Sequence, residues 1–270
     1  MPLPWAARPR ALIGMLHLPP LPGEPGSPGL AAVVEGALRD LAALEAGGAS
    51  AALVENWKDQ SPGPFADPGV AVALAVVVRE VARAGALPVG VNVLPNDYRT
   101  AFALVGAGAR FVWLDVFVDR VRTDYAYSRV APFEVAVDLA DLAAWRARLG
   151  GDAAVLASVH PKHYALLDPT DTLEQSARRA REAGADAVVV TGSATGSAPE
   201  PERVARVRAA LGAHPVLVGS GLTAANAAAL LAQADGAIVG TSIKTPDFER
   251  VDPARLAPVR AAFDALEGAS

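Results

Sequence analysis

The sequence predicts an α/β protein whose residues 1–270 form a single (β/α)8 TIM barrel of the phosphate-binding type. Three observations carry this expectation. Eight short β-branched runs recur along the chain, each followed by a loop and a segment with helical spacing, which is the pattern of βα units and a parallel sheet. The links into strands are short, whereas the links out of strands at 19–29, 57–67 and 118–132 are long; in such a barrel the long set gathers at the C-terminal face, where active sites lie. A Gly-Ala pair precedes six of the strands, at Gly48, Gly85, Gly108, Gly184, Gly212 and Gly236, and suits the left-handed position that ends a helix. Two junctions, 85–89 and 212–216, share the form Gly-Ala-x-Pro-Val, as two similar half-barrels would. The competing doubly wound sheet needs G-x-G-x-x-G after its first strand, where 19–29 is proline-rich instead.

In order, the expected strands are 11–18, 51–56, 89–94, 111–117, 154–160, 187–191, 216–220 and 237–241. Between them, Asp67-Pro68 and Asp252-Pro253 each set a cap residue before a first-turn proline, and Asp171 with Glu174 has capping-box spacing. Thr223 reads as the N-cap of the helix after strand seven. The long fourth loop carries Tyr125 and Tyr127, which either cover the site or pack the loop.

Composition narrows the function classes. With 52% apolar and 20% charged residues the chain is not a disordered one, and a net charge of −5 with scattered Lys and Arg argues against nucleic-acid binding. The absence of Cys removes disulfides, thiol nucleophiles and thiolate zinc sites. Residues 1–10 lack the apolar stretch of a secretory signal, and the longest apolar run, 70–78, is far too short to span a bilayer. A cytoplasmic protein without a transmembrane segment is expected, and a homo-oligomer by the usual habit of soluble enzymes.

The chemistry is read at the strand ends. Gly219-Ser220-Gly221 and Gly240-Thr241-Ser242, with Lys244 close behind, end strands seven and eight, where backbone N–H groups of such barrels hold a phosphate. Only three of 24 basic residues are lysines, Lys58, Lys162 and Lys244, and all three follow a strand at the top face. Lys162 stands between His160 and His163, so Lys162 or His160 is expected as base or acid, Asp115 and Glu55 as the carboxylate counterpart, and Asn92 as an orienting group. An Asp inside the apolar run 111–117 is costly to bury unless it is paired or functional. His17, Asn56, Thr191 and Gly192 complete the expected substrate contacts. No cofactor is predicted; a divalent metal held by His160 and His163 with Glu55 or Asp115 is the alternative use of the same groups. His214 lies at the opposite end and reads as structural.

The segments 13–23 (IGMLHLPPLPG), 54–56, 90–94, 159–163 (VHPKH), 191–196 (TGSATG), 219–221 and 234–244 (ADGAIVGTSIK) resemble the BtpA/SgcQ family over nearly the whole chain. Pro161 and Asp115 depart from the residues many relatives carry. The resemblance implies a phosphate-binding TIM barrel. It also brings a role in photosystem I accumulation known for some members, although relatives in non-photosynthetic organisms argue against assembly as the general role. The function expected is therefore acid/base or lyase chemistry on a small phosphorylated metabolite, a sugar phosphate or nucleotide-like compound. The alternatives are a non-catalytic biogenesis or assembly factor and a metal-dependent hydrolase.

Overall fold

The computed structural model describes residues 3–5, 10–59, 61–123 and 131–268. Eight parallel strands close into a barrel: β1 (Ala11–His17), β2 (Ala51–Glu55), β3 (Val89–Asn92), β4 (Phe111–Leu114), β5 (Ala154–Val159), β6 (Ala187–Val190), β7 (Val216–Val218) and β8 (Gly236–Val239). Spatial order equals chain order, and β1 pairs with both β2 and β8. After the strands come, in turn, α1 (Leu30–Ala46), α2 (Pro68–Ala84), α3 (Tyr98–Ala103), α4 (Leu139–Trp145), α5 (Leu173–Glu182), α6 (Pro201–Leu211), α7 (Ala227–Leu231) and α8 (Pro253–Glu267). All eight expected strands form, but each stops one to three residues short of its expected C-terminal end, because those residues leave the ladder to build the top face.

The helix starts follow local chemistry. Asp67 and Asp252 accept from the N–H groups of Gly69 and Ala254, with Pro68 and Pro253 in the first turn. The capping box of α5 sits one residue later than expected: Thr172 and Gln175 form it, while Asp171 instead accepts from Arg179 at 2.6 Å. Asn226, rather than Thr223, precedes α7, and the two residues exchange side chain to backbone bonds across the turn. A second departure is a three-stranded antiparallel sheet of Val121–Thr123, Glu134–Val135 and Tyr164–Leu166, in stretches expected to be irregular. Val116, Val121 and Val135 give it a small apolar core of its own. Tyr125 and Tyr127 lie outside the described residues.

Side chains alternate along each strand, so every second residue enters the barrel. Ile13, Met15, Leu53, Phe111, Trp113, Leu156, Val189, Leu217 and Ile238 fill it, and Trp5 packs edge-on against Phe111 with ring centroids 4.9 Å apart. The alternate residues face the helices, where α1 buries Val33, Ala37, Leu41 and Leu44 at helical spacing. Among the described residues no helix is long and apolar enough to cross a membrane.

Candidate active site

One step beyond the apolar filling, the same inward alternation delivers polar side chains. Met15 is followed by His17, Leu53 by Glu55 and Trp113 by Asp115. All three line a cavity at the C-terminal mouth of the barrel, together with Trp57, Lys162, Gly219, Ser220, Gly221, Gly240 and Thr241. The space these side chains enclose is small, about 60 Å³, and it widens into an open mouth. Asn92, paired in register with Glu55, lies beneath it and donates to the Trp113 carbonyl at 3.1 Å and to Asp115 at 3.4 Å; its own side-chain oxygen is buried without a partner.

The titratable groups are pushed apart by their surroundings. Burial, and then the neighbouring Asp115, raises the Glu55 carboxyl to about 8, with Lys162 and Lys244 opposing. Burial raises Asp115 to about 6, with Lys162 and the Asn92 amide opposing. Burial, with the Lys244 and Lys162 ammonium charges, lowers His17 to about 3. At neutral pH, therefore, Glu55 holds a proton, Asp115 is ionised, and His17 is neutral, 3.8 Å from Glu55, with its ring centre 5.2 Å from that of Trp57 and tilted 34° to it. Two carboxyls with different protonation states around one ammonium are the parts of an acid and base pair. Lys162 sits with its Nζ 5.8 Å from the centre of the Trp113 ring, and its backbone N–H is held by Thr191 Oγ1 at 3.1 Å.

The glycines opposite these groups are fixed by packing. At Gly221, with φ +66°, a Cβ would fall 2.1 Å from the Ala198 nitrogen, so the β7 loop can lie against residues 192–198 only without a side chain. At Gly240 a Cβ would come within 2.9 Å of the His17 ring. Ser220 ties the two loops, accepting from the Gly192 N–H and donating to the Ser197 carbonyl.

Besides Asn92, six expected site residues, His160, Thr191, Gly192, Lys244, Asn56 and Ser242, do not line this cavity. His160 continues the inward alternation of Leu156 and Ser158 in sequence, but its left-handed backbone, φ 45°, and the hydrogen bond from its N–H to Asp119 turn it out of the axial cavity. It lines a neighbouring cavity with His163, Thr191, Gly192 and Arg203. Lys244 is fully buried and bonded to Asp40 of α1 at 2.7 Å, so it is a structural ion pair and not a free phosphate contact. Asn56 uses its amide on both backbone groups of Leu94. Ser242 donates its hydroxyl to the Leu222 carbonyl. The metal set expected from His160 and His163 with Glu55 or Asp115 is not assembled, since the two histidines line the neighbouring cavity and the two carboxyls the axial one; the described residues contain no group of three His, Asp or Glu able to hold a metal. Lys58 pairs with Glu249. Of the other residues that line the axial cavity, Trp57 has no sequence signal, Thr195 and Gly196 are marked only as part of the segment 191–196, and Trp113 is legible through its two-residue spacing from Asp115.

Fold and cavity together define a (β/α)8 TIM barrel with ionisable side chains at its C-terminal mouth. The chain belongs to the BtpA family, whose profile matches residues 8–264. It is 37% identical to a Pyrococcus horikoshii protein over 87% of this chain and 88% of that one. It is 34% identical to the photosystem I biogenesis protein BtpA of Synechocystis, over 91% of this chain and 85% of that one. Among solved structures, (S)-3-O-geranylgeranylglyceryl phosphate synthase of Thermoplasma acidophilum, in complex with sn-glycerol-1-phosphate, matches with a TM-score of 0.61 at 16% identity, covering 98% of this chain and 100% of that chain. At that identity the likeness concerns the fold.

Proposed function

We propose that the axial cavity catalyses proton transfer at a carbon beside the carbonyl of a small phosphorylated metabolite. The observation that carries this reading is the split between Glu55 and Asp115 around Lys162. Asp115, ionised, takes the proton from carbon; the C–H electron pair becomes the C=C bond of an enol while the C=O π pair moves onto oxygen, which takes the Glu55 proton, and reversal of the same steps returns both protons. Lys162 balances the charge that moves between them. The phosphoryl group is read against Gly219–Gly221 and Gly240–Thr241 on the opposite wall, the place such groups occupy in barrels of this type. Neighbouring folds that act on phosphorylated compounds support that class of substrate.

The test is proton NMR in D2O with pentose and hexose phosphates and nucleoside monophosphates. A phosphorylated carbonyl compound is expected to lose its α-proton signal, and Asp115→Asn and Glu55→Gln should each slow the loss ~100-fold. Failure of every compound to bind or exchange would overturn the reading. A second reading, an assembly factor, is favoured by the name of the Synechocystis relative. It expects substitutions at Asp115 and Glu55 to leave partner capture intact.

A further inference from the structure

Beside the axial cavity, across Lys162, opens a second one lined by His160, His163, Ser193, Ser197, Glu200 and Arg203. The acid/base reading uses none of these six. Arg203, in the first turn of α6, is half-buried, and among the described residues its one hydrogen bond runs from Nη2 to the His160 carbonyl at 3.2 Å. Its Nε is buried without a partner, and among the described residues no carboxylate pairs with it. Burial and the like charge of Arg206 pull its pKa down, Asp119 and Glu174 opposing, as happens to a cation that has lost water without gaining a counter-ion. Next to it, His160 Nε2 is also buried without a partner. Unpaired buried polar atoms are costly and uncommon, and two belong to residues that line this one cavity: Arg203 Nε, a donor, lacks an acceptor, and His160 Nε2 lacks a donor or an acceptor according to its tautomer. Ser193 and Ser197, with hydroxyls 3.5 Å apart, add donors from the loop after β6. Glu200, exposed, is the one acid on the wall.

We propose that this β5–β6 cavity is a second anion subsite, built for a phosphoryl group, so that the substrate is held by one phosphoryl group on the β7–β8 side and another on Arg203. The proposal rests on the axial reading for the site of reaction, but not for the existence of the subsite. A guanidinium is suited to such a group because it offers several donors in fixed directions and keeps its charge. Lys162 lines both cavities and joins them.

The experiment is calorimetric titration of the full chain with inorganic phosphate, for the wild type, Arg203→Met, Arg203→Lys, the loop variant Ser193→Ala/Ser197→Ala, and Arg79→Met as an exposed control. Two phosphate equivalents are expected for the wild type and for Arg79→Met. In Arg203→Met one is retained and the other weakened at least tenfold; Arg203→Lys and the serine variant lie between. Arg203→Met and the serine variant each titrating like the wild type would overturn the subsite. The serine variant keeps the test open if Arg203→Met does not fold, since those hydroxyls lie on a loop. If the axial reading alone fails, the wild type binds a single equivalent and Arg203→Met loses it; if the subsite alone fails, the single equivalent persists in both.

Discussion

Glu55 makes the stability of this protein depend on pH in a way that one substitution isolates. In the folded chain its carboxyl ionises near 8, against an ordinary value of 4.5, because it is buried and faces Asp115. Between those values the native state holds a proton that the unfolded chain has released, so stability falls as pH rises, by about 1.4 kcal/mol for each unit. His17 acts in the opposite sense: ordinarily near 6.5 and native near 3, it makes stability rise up to about pH 6.5 and contributes nothing further above that. Asp115 lowers stability from its ordinary 3.8 up to about 6, and then it too stops contributing. From pH 6.5 to 8 only Glu55 of the three is still changing, and the fall over that window is about 2 kcal/mol. Glu55→Gln keeps the shape and removes the titration. Urea unfolding of both proteins at pH 6.5 and 8.5 reads the effect as a difference between them, in which all other groups cancel. The variant is expected to gain about 2 kcal/mol on the wild type across that interval. A constant difference, or a gain by the wild type, would refute the argument that Glu55 is buried as a neutral acid.

Lys244→Met strands a buried Asp40 and should cost about 3–5 kcal/mol in urea unfolding, whereas Lys244→Met with Asp40→Leu recovers most of the loss. Gly221→Ala forces both a left-handed alanine and a clash with the Ala198 backbone, and should cost about 2–4 kcal/mol, seen as a lower melting temperature. Lys162→Met removes the ammonium that opposes proton uptake by Glu55 and Asp115, so both carboxyls should titrate higher still by carbon-13 NMR; an unmoved Asp115 would mean that Lys162 does not reach it.

Much of the axial site was legible because strand alternation is a local property. Once residues 111–117 are read as a strand, Phe111, Trp113 and Asp115 must share a face, and the same spacing puts His17 behind Met15 and Glu55 behind Leu53. His160 shows where that rule ends. Its sequence position continues the inward face of β5, but a single left-handed φ, held by a bond to Asp119 41 residues away, rotates it into the next cavity. Lys244 follows the glycines of β8 and so resembles a phosphate ligand in sequence; its partner Asp40 lies 204 residues earlier on α1, and nothing near either residue announces the pair.

The sequence by itself determined the eight βα units, the end of the barrel at which the polar residues collect, and the left-handed glycines 48, 108, 184 and 212 that follow helices, since each depends on neighbours a few positions apart; Gly85 ends α2 in an extended conformation and Gly236 opens β8 instead. The tertiary structure alone decided which polar residues meet. Closure of the barrel brings β2, β4 and the loop after β5 around one axis, where mutual burial and charge raise Glu55 and Asp115 and lower His17. It also leaves Arg203, one arginine among many in the sequence, half-buried without a counter-ion among the described residues. Proton affinity and unmet hydrogen bonds depend on what surrounds a group in space, and for these residues the surroundings come from distant parts of the chain.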